Sequence, residues 1–182
     1  MMVPSVVGPA AWGTALFFQQ VHLTEVKGWD LIQYVALMPL YSVATIAATF
    51  ASGWAIDRFG VRRVIPYQMA PFAISFAVLA FAQTLAGAAV GLVIFGVGQA
   101  ISATATSTFW AEYFGTRHIG AIKSLITALM VFGSAIGPGI SGFLIDWGTD
   151  FPQQMLPYAI YYAGAGLLAA YGIAKHRTLL NR

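Results

Sequence analysis

Apolar residues run in six long blocks along the chain, over residues 3–23, 31–56, 64–83, 86–109, 124–145 and 158–174. Short polar breaks separate them, and within each block Leu, Ile, Val, Phe, Ala and Gly follow one another without strict alternation. A membrane barrel strand would alternate apolar and polar positions over about ten residues, so the pattern excludes a barrel. A helix of about 20 apolar residues crosses a bilayer and satisfies its backbone polar groups within its own segment. The pattern predicts an all-α, polytopic membrane protein. It is a bundle of six transmembrane helices in a single domain over residues 1–182, with short loops and no linker.

Composition agrees. The mean hydropathy of +0.75, with 59% hydrophobic and 8% charged residues, is too apolar for a soluble domain of 182 residues. The few charges set an orientation. Six spans place Arg58, Arg62 and Arg63, then Arg117 and Lys123, then Lys175, Arg177 and Arg182 on one side with the N-terminus. The other connections hold Glu25, Lys27, Asp30, Asp146 and Asp150. The positive-inside rule makes the basic side, and both termini, cytoplasmic, in a cell membrane. Orientation accounts for the net charge of +3 without a nucleic-acid partner. There is no cysteine, hence no thiol or disulfide chemistry. The first apolar block lacks a basic lead-in, which argues against a cleaved signal peptide. Met1 and Met2 stand directly at that block, as in a chain that begins inside a longer protein.

The densest charge lies in Gly53-x-x-x-Asp57-Arg58-x-Gly60-x-Arg62-Arg63, between the second and third blocks. This segment resembles the signature loop of the major facilitator superfamily, which joins the second and third helices of each six-helix half. A second stretch, Trp110 to Gly120 with Glu112 and Arg117, resembles the loop between the fourth and fifth helices. Together the two cover nearly the whole chain in register with the blocks. Ala55 and Val61 depart from the usual pattern, as loosened copies in second halves do. The opening from Trp12 to Trp29 resembles the seventh helix of bacterial members. The resemblance implies a C-terminal half, helices seven to twelve, built as a three-plus-three inverted repeat. It implies a secondary transporter of a small solute, working by alternating access and coupled to an ion or to exchange. The partners implied are the lipid bilayer, the solute, and an N-terminal six-helix half or a second copy of this chain.

Site candidates follow. Gly53 lets another helix approach closely. A carboxylate at the C-terminus of a helix, as at Asp57, gains only from a neighbouring helix N-terminus or an arginine. The expected gate is a network of Asp57, Arg58, Glu112 and Arg117 on the cytoplasmic side. Arg62 and Arg63 serve it or anchor the topology. Polar residues inside spans are candidates for the substrate cavity: Gln19, Gln20 and His22 on the first, and Gln99, Ser102 and Thr106 on one stripe of the fourth. For His22 the alternative is water contact at the outer interface; for Ser102 and Thr106 it is helix packing. Gly133, Gly137, Pro138 and Gly142 on the fifth span resemble a Gly-Pro motif of antiporter members and predict a kink with close packing.

Enzymatic readings find little. Gly139-Ile140-Ser141-Gly142 resembles the G-x-S-G of rhomboid intramembrane proteases, but the sixth block holds no histidine to act as base. No metal-ligand cluster, nucleotide motif or cofactor signature is present. Gradient-driven transport is expected rather than ATP hydrolysis.

Overall fold

A computed structural model describes residues 3–115, 117 and 119–175, with Phe114 described by its backbone alone. His118, which lies in the second loop match, and the tail residues His176, Arg177 and Arg182 fall outside the described residues, as do Met1 and Met2. The helices are α1 (Val3–Phe18), α2 (Gln20–Lys27), α3 (Leu31–Val35), α4 (Met38–Phe59) and α5 (Val61–Val64), which runs into a 3-10 turn at Ile65–Tyr67. Then come α6 (Ala70–Phe81), α7 (Leu85–Phe114), α8 (Ile119–Asp146) and α9 (Phe151–Lys175). There is no strand among the described residues. Four segments are long and apolar enough to cross a membrane: Leu31–Phe59, Val61–Phe81, Leu85–Tyr113 and Ile119–Asp146. The apolar helix α1 is shorter than that, and α9 is 25 residues long but carries Gln, Tyr and Pro in its first turns.

Local chemistry sets the ends. Asp30 accepts from the Gln33 amide at 2.9 Å and caps α3. Thr84 accepts from the Gly87 amide at 3.2 Å and caps α7, so each satisfies a donor that the helix itself leaves free. Gly60 closes α4 at φ +80°, a backbone region that disfavours side chains. Lys27 donates to the carbonyls of Ala80 and Ala82 at 2.7 and 2.9 Å. Its charge thereby neutralises the negative end of α6, while burial lowers its pKa from the usual lysine value.

The packing is interleaved. α1 lies against α8 and α4 against α7, while α6 packs on both α7 and α9. If helices 1, 4 and 6 form one triplet and 7, 8 and 9 another, exchanging the triplets converts the first contact into the second. Both crossings use small residues. The buried positions of α4 are Ala48, Ser52 and Ile56, four apart, and those of α8 are Gly133, Gly137 and Ser141, also four apart. A Cβ on Gly137 would run into the Ala11 backbone, and one on Gly96 would stand 2.8 Å from the Tyr41 carbonyl oxygen. Small residues bring helices close where lipid supplies no hydrophobic drive. An aromatic core fills the space between α6, α7 and α9, with Phe72 stacked on Tyr162 at 4.9 Å and Trp12 on Tyr158 at 4.3 Å.

The rest of α4 and α8 is bare. Val43, Ile46, Phe50 and Trp54 on α4 are exposed, as are Leu125, Val131, Phe132 and Phe143 on α8.

Candidate functional site

A cavity of about 530 Å³ opens between α1, α4, α7 and α8. Gln99, Ser102 and Thr106 line it from α7, Thr45 and Thr49 from α4, and Ser5 from α1. The stripe foreseen on the fourth block therefore faces a cavity. Apolar walls come from Val6, Pro9, Ile126 and Met130, and Lys123 is the one charged lining residue among the described residues. Several hydroxyls are tied to their own helices: Thr45 donates to the Tyr41 carbonyl at 2.8 Å, and Thr49 to the Thr45 carbonyl at 2.8 Å. Such i−4 bonds satisfy a hydroxyl proton in an apolar setting and leave oxygen lone pairs available. Thr106 reaches the Gln68 side-chain oxygen at 3.4 Å. The Ser5 hydroxyl is fully buried and makes no hydrogen bond. The arrangement can accept a solute with both apolar surface and hydrogen-bonding groups.

At the basic end the charged loop is held by its apolar members. Val61 and Ile65, fully buried, pack with Ile56, Ala105, Phe109 and Ala169. Val61, which departs from the family pattern, is thus a core residue. Of the two arginines after it, Arg63 is exposed and Arg62 is half-buried against α7. Arg62 Nε stands 3.9 Å from Glu112 Oε1, and its guanidinium lies over the Tyr113 ring at 5.3 Å. Two loops foreseen as one gate are therefore joined by Arg62–Glu112. Asp57, Arg58 and Arg117 are exposed and form no ion pair among the described residues. Arg58 instead lies over Trp54 and Phe59 at 5.6 and 5.8 Å. A Cβ on Gly53 would meet nothing within 4 Å, so among the described residues no helix closes on it.

Gln19, Gln20 and His22 lie toward the opposite end of the bundle and do not line the cavity. Gln19 donates to the Pro138 carbonyl at 3.4 Å across the α1–α8 crossing. His22 Nε2 stands 3.3 Å from Asp150 Oδ1, within ion-pairing range for a protonated ring but off the hydrogen-bonding direction. Gln20 is half-buried. Pro138 sits inside α8 without ending it, Gly133 and Gly137 meet α1, and a Cβ on Gly142 would make ordinary contact with Gln19 at 3.6 Å.

A buried hub escaped the sequence reading. Gln154, almost fully buried, accepts from Ser141 at 2.9 Å and Tyr158 at 2.7 Å, and donates to the Thr149 carbonyl at 2.9 Å. Gln68, also fully buried, was passed over in the same way. The available signal was an amide within or beside an apolar run, costly unless paired. The hub also removes the protease alternative: Ser141 gives its proton to an amide oxygen, which cannot serve as a general base.

The sequence profile of the Major Facilitator Superfamily matches residues 5–178, nearly the entire chain. The chain belongs to this superfamily. Its members are transporters rather than enzymes, and the apolar helices of this chain are those of a multi-pass membrane protein. A stretch of 126 residues is 31% identical to a triacylglyceride transporter of Mycobacteroides abscessus, covering 69% of this chain and 22% of that protein. A stretch of 120 residues is 26% identical to a multidrug resistance protein B homolog of Mycobacterium tuberculosis, covering 66% of this chain and 21% of that protein. The matched segment spans about a fifth of each relative's length.

Proposed function

We propose that this superfamily chain is a C-terminal six-helix half, one wall of a secondary transporter that moves a small solute across the cell membrane by alternating access. The observation that carries this reading is the cavity between α1, α4, α7 and α8, with the charged loops joined by Arg62–Glu112 at its basic end. The exchange symmetry of the α1–α8 and α4–α7 contacts supports a three-plus-three repeat with its site at the junction. In that reading α1 with α2 forms the first span and α9 the sixth, and the basic side is cytoplasmic. The bare apolar faces of α4 and α8 support a second half, either an N-terminal half or another copy, seated against them. The solute touches Gln99, Ser102 and Thr106. Ion coupling or exchange drives the cycle, with the main titratable group supplied by the other half, because no acidic residue lines this cavity among the described residues.

The test compares gradient-driven solute flux in proteoliposomes holding this chain alone or the chain joined to an N-terminal half. Flux only in the joined form is expected. Equal flux from the chain alone would overturn the half reading in favour of a homodimer. Ser102→Phe, which fills the cavity, should abolish flux in the joined form; unchanged flux would remove the cavity from the pathway.

A further inference from the structure

A second concavity, of about 480 Å³, opens where α4, the charged loop and α7 meet, apart from the cavity described above. Ala51, Ala55 and Phe59 of α4 and Val97 and Ile101 of α7 make it almost wholly apolar. Arg63 is its one charged lining residue. Arg63 is exposed and has no carboxylate partner among the described residues. The Arg58 guanidinium stands over Phe59, another wall of the same groove, and is likewise without a carboxylate partner among the described residues. Asp57 in the same loop contacts neither, so it does not neutralise them by pairing. The apolar part lies beside the last turns of the candidate span Leu31–Phe59, and the cations stand where that span ends.

An apolar slot at acyl-chain depth, with the Arg63 guanidinium in its wall and that of Arg58 over the adjoining Trp54 and Phe59 rings, matches one ligand chemistry. We infer that this groove seats an acyl chain of an anionic phospholipid, whose phosphate is held by Arg63 and Arg58. The chain buries against Ala51, Ala55 and Ile101, and the bidentate donors face the phosphate at the membrane surface. Basic pockets between transmembrane helices on the cytoplasmic side recognise anionic headgroups in this way. The inference concerns the outer face of this chain and stands whichever solute is carried.

The experiment is native mass spectrometry of the complete protein with equimolar phosphatidylglycerol and phosphatidylcholine of the same acyl length. Phosphatidylglycerol should be retained over phosphatidylcholine by about fivefold per guanidinium. The double variant Arg58→Gln/Arg63→Gln, at exposed positions where folding is insensitive, should bring the two lipids level. Ala55→Phe, which fills the slot, should lower retention of both. An unchanged preference in the arginine variant would overturn the inference, as would equal retention of the two lipids by the unaltered protein. Cross-linking of Ala51→Cys to the other half of the transporter would show the groove filled by protein and overturn it as well.

Discussion

Gly137 is the position at which one added methyl group should do the most damage. Its Cβ would stand 2.5 Å from the Ala11 carbonyl carbon and 2.7 Å from Ala11 Cα, whereas ordinary contact begins at 3.4 Å. The obstacle is backbone, which cannot rotate away as a side chain would. In Gly137→Ala the α1 and α8 axes must therefore part by roughly an ångström. A gap of that size forfeits a quarter to a half of each dispersion contact along the seam, and overpacking of this kind costs about 1–3 kcal/mol. Gly139, two residues along the same helix, supplies the control: its Cβ would meet nothing within 4 Å. Gly139→Ala removes the entropic penalty of a mid-helix glycine and should be neutral or stabilising by about 0.5–1 kcal/mol. In thermal unfolding in detergent, with roughly 2–4 °C per kcal/mol for a chain of this size, Gly137→Ala should melt several degrees lower while Gly139→Ala does not. Equal shifts for the two variants would refute the close crossing.

Three further expectations follow from the same geometry. Gln154→Leu leaves Ser141, Tyr158 and the Thr149 carbonyl without their shared partner, so it should destabilise by about 1–3 kcal/mol per orphaned group, well beyond Ser141→Ala, in the same melting assay. Arg62→Ala should cost no more than about 1 kcal/mol of stability, because the pair with Glu112 is exposed. It should nevertheless change the distribution of cytoplasmic-end distances measured by paired spin labels in the complete transporter; an unchanged distribution would deny the loop a gating role. Gly53→Ala, like Gly139→Ala, should leave the melting of this chain alone unchanged or raise it, by about 0.5–1 kcal/mol at most, since the site is open, yet reduce flux once the second half is present; full flux would argue against a close approach there.

The helices were readable because bilayer-length apolar runs admit few alternatives, and their bounds differed where polar or proline residues sit inside a helix. The last apolar block runs from residue 158, whereas α9 begins at Phe151, with polar and proline residues in its first turns. Pro157 lies within α9 in its second turn, where it takes away the bond to the Gln153 carbonyl without ending the helix. The first block divides at Gln19, whose backbone leaves helical geometry between α1 and α2. The stripe of Gln99, Ser102 and Thr106 was legible from its spacing, but not whether Ser102 and Thr106 meet a neighbouring helix or a cavity, which only the placement of α4 and α8 decides. The two charged loops were legible but their pairing was not, because which arginine reaches Glu112 depends on Val61 and Ile65 burying themselves and turning Arg62 toward α7. Gln154 and Gln68 went unread because nothing local distinguishes a paired amide from one facing a cavity.

The interleaved packing has a consequence for how the protein is made. Ala11 meets Gly137, so α1 is synthesised 126 positions ahead of the residue it packs against most closely. At about 5–20 residues per second, α1 waits on the order of ten seconds in the membrane with its glycine-matched face uncovered. During that interval α4 can settle only after α7 arrives, and neither triplet holds a finished core. Biogenesis of this fold therefore depends on something that shelters an early helix until a late one is inserted, and variants that slow synthesis between residues 85 and 137 should lengthen the exposure.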